Sequence, residues 1–320
     1  MTNYLKSIGG YFELALPLGA EYHSSAIALN TGRNCLEYIL RARGYKRVYL
    51  PLYSCDVLLE PFGKLGIDYT FYHINERLEL DEEIHLEEGE AVIYINYYGL
   101  KQTYAKTLAE KYGKQLILDN TQAFYAKPIE GIDTFYSCRK FFGVADGAYL
   151  YCDQPIDMEL EQDQSWDRMN YLLKRIDISP EAAYNEFSRH EEQLKGNPIR
   201  IMSKLTARIM ASIDYNRIRI KRRENYMFLE SVLSKKNEIS LPLANDAVPM
   251  VYPFLSSDPE LQHRLIENKI YVATYWPIVK DRVRCNSNEC FLSNNLIPLP
   301  IDQRYGSEDE KKILSIILSL

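Results

Sequence analysis

Between residues 26 and 152, short apolar runs alternate with stretches of helical period. This alternation constrains the fold more than any other property of the chain. Strands separated by helix-length spacers cannot close as tight hairpins. The spacers must cross over the sheet, which gives a mostly parallel sheet covered by helices on both faces. The pattern predicts helices over 34–43, 57–65 and 104–112. It predicts strands over 47–50, 69–72, 91–96, 115–119, 133–136 and 148–151, with Pro51 stopping the first of these. In such sheets ligands bind beyond the carboxyl ends of the strands.

After Cys152 the pattern changes. Residues 154–164 are acidic and read as a loop. A helix is expected over 180–195, with Ser179 as its cap and Pro180 in its first turn. Gly196-Asn197-Pro198 breaks the chain, and one long helix is expected over 199–235. Its basic run, Arg217 to Arg223, reads as a solvated face with the isoleucines turned inward. Strands are expected over 248–254 and 270–274, and helices over 259–268 and 308–318. The division this implies is a large domain over 1–235, with an N-terminal arm and the long helix, and a smaller α/β domain over 236–320.

The 46% hydrophobic and 26% charged fractions are globular values. The net charge is −6, and no basic cluster stands out except Arg217 to Arg223, which argues against nucleic acid as a partner. No stretch approaches the roughly 18 apolar residues of a membrane span, and Met1 to Lys6 does not open a signal peptide. The six cysteines are scattered, and only Cys285 and Cys290 lie close together. They read as reduced thiols of a cytoplasmic protein, with no metal site. The 26 tyrosines suit pockets for polar ligands such as sugars.

Two segments carry the chemistry. Leu116-Ile117-Leu118-Asp119-Asn120-Thr121-Gln122-Ala123 puts an acid at the end of a strand. Ser137-Cys138-Arg139-Lys140, running on to Asp146-Gly147, puts an amine just after the next. Taken singly, Asp119 is an ordinary turn residue and Lys140 an ordinary surface lysine. Together they suit pyridoxal 5'-phosphate, whose carbonyl needs an amine for a Schiff base and whose ring nitrogen needs an acid. Upstream, Thr31-Gly32-Arg33-Asn34 opens the first helix, where free backbone N–H groups can hold an anion.

Read in order, these motifs resemble the DegT/DnrJ/EryC1/StrS sugar aminotransferases, a family of fold-type I pyridoxal phosphate enzymes. Asn30-Thr31-Gly32-Arg33 is similar to that family's Ser-Gly-Thr turn. Leu50-Pro51-Leu52-Tyr53-Ser54 resembles its Pro-Ser-Tyr-Thr segment, and Tyr97-Tyr98-Gly99 its Tyr-Gly. Asp119 to Ala123 resembles its Asp-Ala-Ala-Gln-Ala, Ser137 to Ala148 its lysine segment, and Leu296 to Ile301 its closing Leu-Pro-Ile. The matches span nearly the whole chain.

The resemblance implies a fold-type I transferase that pairs as a homodimer. Lys140 would hold the cofactor and shuttle protons, and Asp119 would hold the pyridine nitrogen. Gln122 would face the ring edge. Gly32 and Arg33 would give N–H groups to the phosphate, with Ser54 and Ser137 as hydroxyl donors. Cys55 stands where the family stacks an aromatic residue on the ring, and Tyr53 is the substitute considered. Asn197 loosely matches an asparagine that the family supplies from the partner subunit. Tyr98, Tyr275 and Trp276 are possible substrate contacts. The activity implied is transfer of an amino group, from glutamate, to a nucleotide-linked keto-sugar. The alternatives are sugar dehydration or an amino-acid transformation on the same cofactor, or a non-catalytic binding or regulatory role. Intact Lys140 argues against dehydration, because dehydrating members tend to carry His there.

Overall fold

The computed structural model describes residues 8–283 and 286–319; the readings of Met1 to Lys6 and of Cys285 lie outside them. The chain opens with β1 (Ile27–Leu29), α1 (Gly32–Arg43), β2 (Arg47–Pro51), α2 (Glu60–Leu65), β3 (Asp68–Tyr72), β4 (Glu90–Ile95) and α3 (Gln102–Tyr112). β5 (Leu116–Asp119), β6 (Asp133–Ser137) and β7 (Ala148–Tyr151) complete the sheet. Its order is β1-β7-β6-β5-β4-β2-β3. β3, β2, β4, β5 and β6 run parallel, and only β7 runs against its neighbours.

Local chemistry explains the first crossover. Thr31 caps α1 by accepting the N–H of Asn34, and Gly44 closes it in the left-handed region with φ 63°. Cys35, Leu36 and Ile39 are fully buried against the sheet. Each such side chain contributes about 1.5–3 kcal/mol. Arg43, in the last turn, grips both carboxylate oxygens of Asp133 at 2.7 Å and ties the helix to β6.

The register brings one set of residues to one edge. Ile95 at the end of β4 lies opposite Asp119 at the end of β5, and Asp119 lies opposite Phe135 of β6. Ser137 pairs with Ala148, and Ala148 with Leu29, so Gly147 and the Thr31-Gly32 turn emerge at this same edge. Gly147 sits at φ +100°, and a Cβ there would meet Thr206 Cγ2 at 2.8 Å. Only glycine lets this backbone pass.

Beyond the sheet come α4 (Asn170–Asp177), α5 (Pro180–Gln193), α6 (Lys204–Ala211), α7 (Tyr215–Leu233), β8 (Tyr252–Leu255), α8 (Leu261–Glu267) and α9 (Val279–Arg282). α10 (Asn288–Asn295), β9 (Leu296–Leu299) and α11 (Ser307–Leu318) follow. Ser179 caps α5 as expected, and α4 is an addition to the sequence reading.

Three expectations change. The single helix over 199–235 is two, because Asp214 takes the N–H of Arg217 and starts α7 afresh after α6. The basic run is a solvated face only in part: Arg217 and Arg219 are exposed, but Arg222 is buried. Arg222, Asn225, Tyr226, Leu229 and Leu233 share the buried side of α7, which leaves Ile220 outside. Residues 270–274 form no strand: β9 takes the place beside β8, pairing Leu255 with Leu296, and an unpaired strand there would leave its backbone unsatisfied.

Among the described residues no helix is long and apolar enough to cross a membrane, and no group of three or more His, Cys, Asp and Glu could hold a metal. Cys35, Cys55, Cys138, Cys152 and Cys290 are free thiols.

Candidate active site

A cavity of about 190 Å³ opens at the carboxyl edge of the sheet. Ile95, Asp119 and Phe135 form its floor, Thr31, Gly32 and Arg33 one wall, and Lys140 projects into it. Cys55, Gln122, Ser137 and Trp276 also line it, and α5 with the residue after it contributes Glu191 and Leu194 from above.

Asp119 is 3% exposed. The backbone N–H of Thr121 donates to its Oδ1 at 2.8 Å. Burial raises its pKa, and Lys140 and Thr121 oppose that rise. Lys140 is exposed within the cavity, yet the protein packed around it partly strips its hydration and lowers its pKa, against the pull of Asp119. Its Nζ donates to Thr121 Oγ1 at 3.0 Å. Thr121 thus touches both charged groups, one through its backbone and one through its hydroxyl. Thr121 lies inside the motif quoted for Asp119 and Gln122, where its residue type alone gives no sign of this double contact. Gln122 Oε1 accepts the N–H of Tyr98 at 2.8 Å, which fixes the amide and leaves its nitrogen end for the cavity.

The remaining expected residues divide. Ser54 does not reach the cavity: its hydroxyl donates to Pro51 O at 2.7 Å and it is buried beside Arg282. Asn197 does not reach it either within one chain, since its Nδ2 donates to Gln193 O at 2.8 Å. Tyr53 is turned into the core, with its ring edge-on to Trp276 at 4.5 Å. Tyr98 and Tyr275 stack at 5.8 Å behind the cavity, and Tyr275 stacks in turn on Trp276. Of the three aromatic candidates, Trp276 alone lines the wall, held at φ +55°. That conformation is costly for a bulky residue. Ser293 Oγ secures it by donating to Trp276 O at 3.3 Å.

Two residues that sequence reasoning left out also line the cavity. Arg139, the neighbour of Lys140, is ion-paired with Glu191 of α5. Nothing in the sequence links positions 139 and 191, because the pairing depends on how the α4–α5 hairpin folds back.

The residues present fit pyridoxal phosphate. An amine, a buried carboxylate with one oxygen free of the Thr121 backbone, and a helix start with open N–H groups share one cavity whose Cys55, Val57, Leu58 and Phe135 surfaces are apolar.

No family model matches the chain. No curated protein matches it in sequence. Solved structures do match in fold. The sugar aminotransferase CalS13 from Micromonospora echinospora aligns over 92% of this chain and 87% of its own, at 14% identity and a TM-score of 0.63. DesV from S. venezuelae, solved in complex with a ketimine intermediate, aligns over 92% and 84% at 16% identity and 0.64. A DegT DnrJ EryC1 StrS aminotransferase from Brucella abortus aligns over 92% and 85% at 15% identity and 0.61. The chain therefore has the fold of the fold-type I sugar aminotransferases.

Proposed function

We propose that the protein is a pyridoxal phosphate-dependent aminotransferase that moves an amino group, from glutamate, onto a nucleotide-linked keto-sugar. The observation that carries this reading is the convergence of Lys140, Asp119 and the start of α1 on one cavity, in a fold shared with sugar aminotransferases. Bound there, the cofactor would supply an electron-withdrawing ring that stabilises negative charge at the substrate carbon. Lys140 would hold the cofactor and carry the proton to and from that carbon. Its lowered pKa suits a base that must be neutral for part of the cycle. Asp119 would hold a proton at the ring nitrogen, positioned by the Thr121 N–H. Gln122, fixed by Tyr98, would orient the ring edge. Trp276 would close the cavity against water.

The subunits are proposed to pair. Residues 8–20 run without helix or strand and expose Tyr11, Phe12 and Leu18 by 83% or more. An apolar stretch of that kind fits burial against a second copy. Pairing also offers a route for Asn197 to serve the neighbouring site. A mass near that of one chain in light scattering would refute the pairing.

The main test is spectroscopic. Wild-type protein mixed with pyridoxal phosphate should show visible absorbance from the lysine-bound cofactor and should lose it on adding glutamate. Lys140→Ala should abolish the band and lower amino transfer by roughly 10²–10⁴-fold or more. Identical spectra from both proteins would sink the proposal.

A further inference from the structure

The cavity wall around the start of α1 holds more positive charge than a backbone phosphate turn requires. Arg33 and Arg139 both line it, beside Lys140. Each guanidinium is held by a carboxylate from a different element: Arg33 by Glu60 of α2, and Arg139 by Glu191 of α5. In both pairs the arginine is the inner partner. Side-chain exposure is 7% for Arg33 against 25% for Glu60, and 21% for Arg139 against 39% for Glu191. Both cations line the cavity; of the carboxylates, Glu60 stays outside it and Glu191 lines it from above. Arg139 Nε and Glu191 Oε1 are both buried with no hydrogen-bond partner among the described residues, so charge rather than a formed hydrogen bond holds this pair. The helix adds to this. Asn34 N is taken by Thr31 Oγ1 and Cys35 N by Thr31 O, so the N–H groups of Gly32 and Arg33 have no acceptor among the described residues.

A simple structural ion pair would not need this arrangement. A buried donor without an acceptor is costly, and two guanidiniums on one wall repel each other unless an anion lies between them. Glu191 compensates only in part, since its side chain is more than a third exposed and its Oε1 makes no hydrogen bond among the described residues. A phosphate monoester has three oxygens and close to two negative charges, which matches two planar guanidiniums and a helix start.

We propose that Arg33 and Arg139 form a binding site for a phosphate monoester dianion, and that Glu191 is its built-in competitor, released from Arg139 when the dianion enters. The site joins ligand binding to the position of α5, because Glu191 is one of the groups by which that helix reaches the cavity. Which compound carries the phosphate, the cofactor or the nucleotide of a substrate, rests on the functional reading above; the dianion site does not.

The test uses the full-length protein stripped of bound cofactor. Inorganic phosphate, pyridoxal 5'-phosphate, pyridoxal and uridine diphosphate are titrated by calorimetry and by tryptophan fluorescence, since Trp276 lines the cavity. Arg139→Met should weaken inorganic phosphate about ten- to hundredfold. Glu191→Gln should tighten it about two- to fivefold, a gain that a misfolded variant cannot give. Pyridoxal, which lacks the phosphate, should bind both variants as it binds the wild type. If Arg139→Met weakens pyridoxal phosphate in step with inorganic phosphate, the cofactor brings the dianion. If uridine diphosphate alone weakens in step, the substrate brings it. Both outcomes support the site. Unchanged phosphate affinity in Arg139→Met, weaker binding in Glu191→Gln, or a parallel loss of pyridoxal affinity overturns it. If these titrations hold while glutamate leaves the visible spectrum unchanged, the dianion site stands and the aminotransferase reading falls.

Discussion

The floor and the roof of the cavity are built in different ways. The floor is strand backbone: Ile95, Asp119 and Phe135 sit at paired positions in the sheet, each 3% exposed or less. Its geometry is part of the main core and cannot shift without unpairing strands. The roof is the α4–α5 hairpin. It has a small core of its own, made of Ala145, Met169, Tyr171 and Ala183, while Leu173, Ile176, Ile178 and Tyr184 are more than half exposed. Lys174 to Glu186 at 2.7 Å joins its two helices, and polar tethers hold it down: the Gly196 N–H to Glu60 at 2.8 Å, Tyr271 to Glu181 at 2.5 Å, and Arg139 to Glu191. Chemistry that needs fixed distances belongs on the floor, and selection of what enters belongs to the roof. Changes to the floor should therefore act on turnover or global stability, and changes to the roof on local opening and affinity.

The largest effect is expected from Asp119→Asn. It keeps the shape of the floor and removes the charge, so turnover should fall roughly 10²–10⁴-fold while the urea midpoint stays near wild type. A turnover within a factor of a few of wild type would remove Asp119 from the chemistry.

Next comes Arg222→Met, which acts behind the floor. Arg222 donates to Met250 O at 2.9 Å and to Gln303 Oε1 at 3.0 Å. It also reaches Phe141 O, one residue past Lys140, at 3.4 Å, with its guanidinium 4.5 Å from the Phe141 ring. Burial pushes its pKa down to about 10, so it remains charged at neutral pH. Losing it strands several buried carbonyls and should cost roughly 3 kcal/mol, read from denaturant curves. A cost below about 1 kcal/mol would show that water replaces it without loss.

The same contrast governs what could be read in advance. Strands and crossovers of the sheet announce themselves by period, and Thr31, Gly44 and Ser179 act as the caps their types suggest. Asp119 and Lys140 were legible because strand-end position is a local property. Asn197, Ser54 and Tyr53 are assigned by motif, yet the first two turn back on their own chain, to Gln193 O four residues away and Pro51 O three residues away, and Tyr53 packs on Trp276, distant in sequence. Arg222 read as solvated because a run of arginines looks polar as a block, whereas its burial follows from a phase of the helix shared with Tyr226 and Leu229. The Arg139–Glu191 pair was invisible for a similar reason: α4 left no clear signal, so nothing indicated that α5 returns over the site.

Away from the cavity, Glu310 of α11 tests whether the core behind the floor is as dry as the floor itself. Both of its carboxylate oxygens are buried without hydrogen-bond partners among the described residues, and burial, with Asp309 and Asp302 adding, raises its pKa to about 8. The folded pKa lies above the unfolded value, so folding favours the neutral acid. Its contribution is full below about pH 4.5 and is lost as pH rises through 8. Glu310→Gln should flatten the decline of the melting temperature across that window and leave the variant more stable than wild type above pH 8. Parallel pH profiles for the two proteins would mean that water reaches the carboxylate.

The smallest effect should mark the boundary between roof and floor most sharply. Ser179 Oγ accepts the Ala182 N–H at 3.1 Å and caps α5. Ser179→Ala removes about 1 kcal/mol from that helix end. If the hairpin opens on its own, the loss appears as roughly fivefold faster amide exchange over 180–193, because 1 kcal/mol is that factor in a local opening equilibrium. Exchange in β5 should not change, since its amides open only with the main core. Phosphate affinity should move little, because Glu191 lies three turns from the cap. Should β5 exchange faster by the same factor, the hairpin and the sheet unfold as one unit. The roof would then be as rigid as the floor, and Glu191 would have to leave Arg139 by rotating its own side chain rather than by movement of α5.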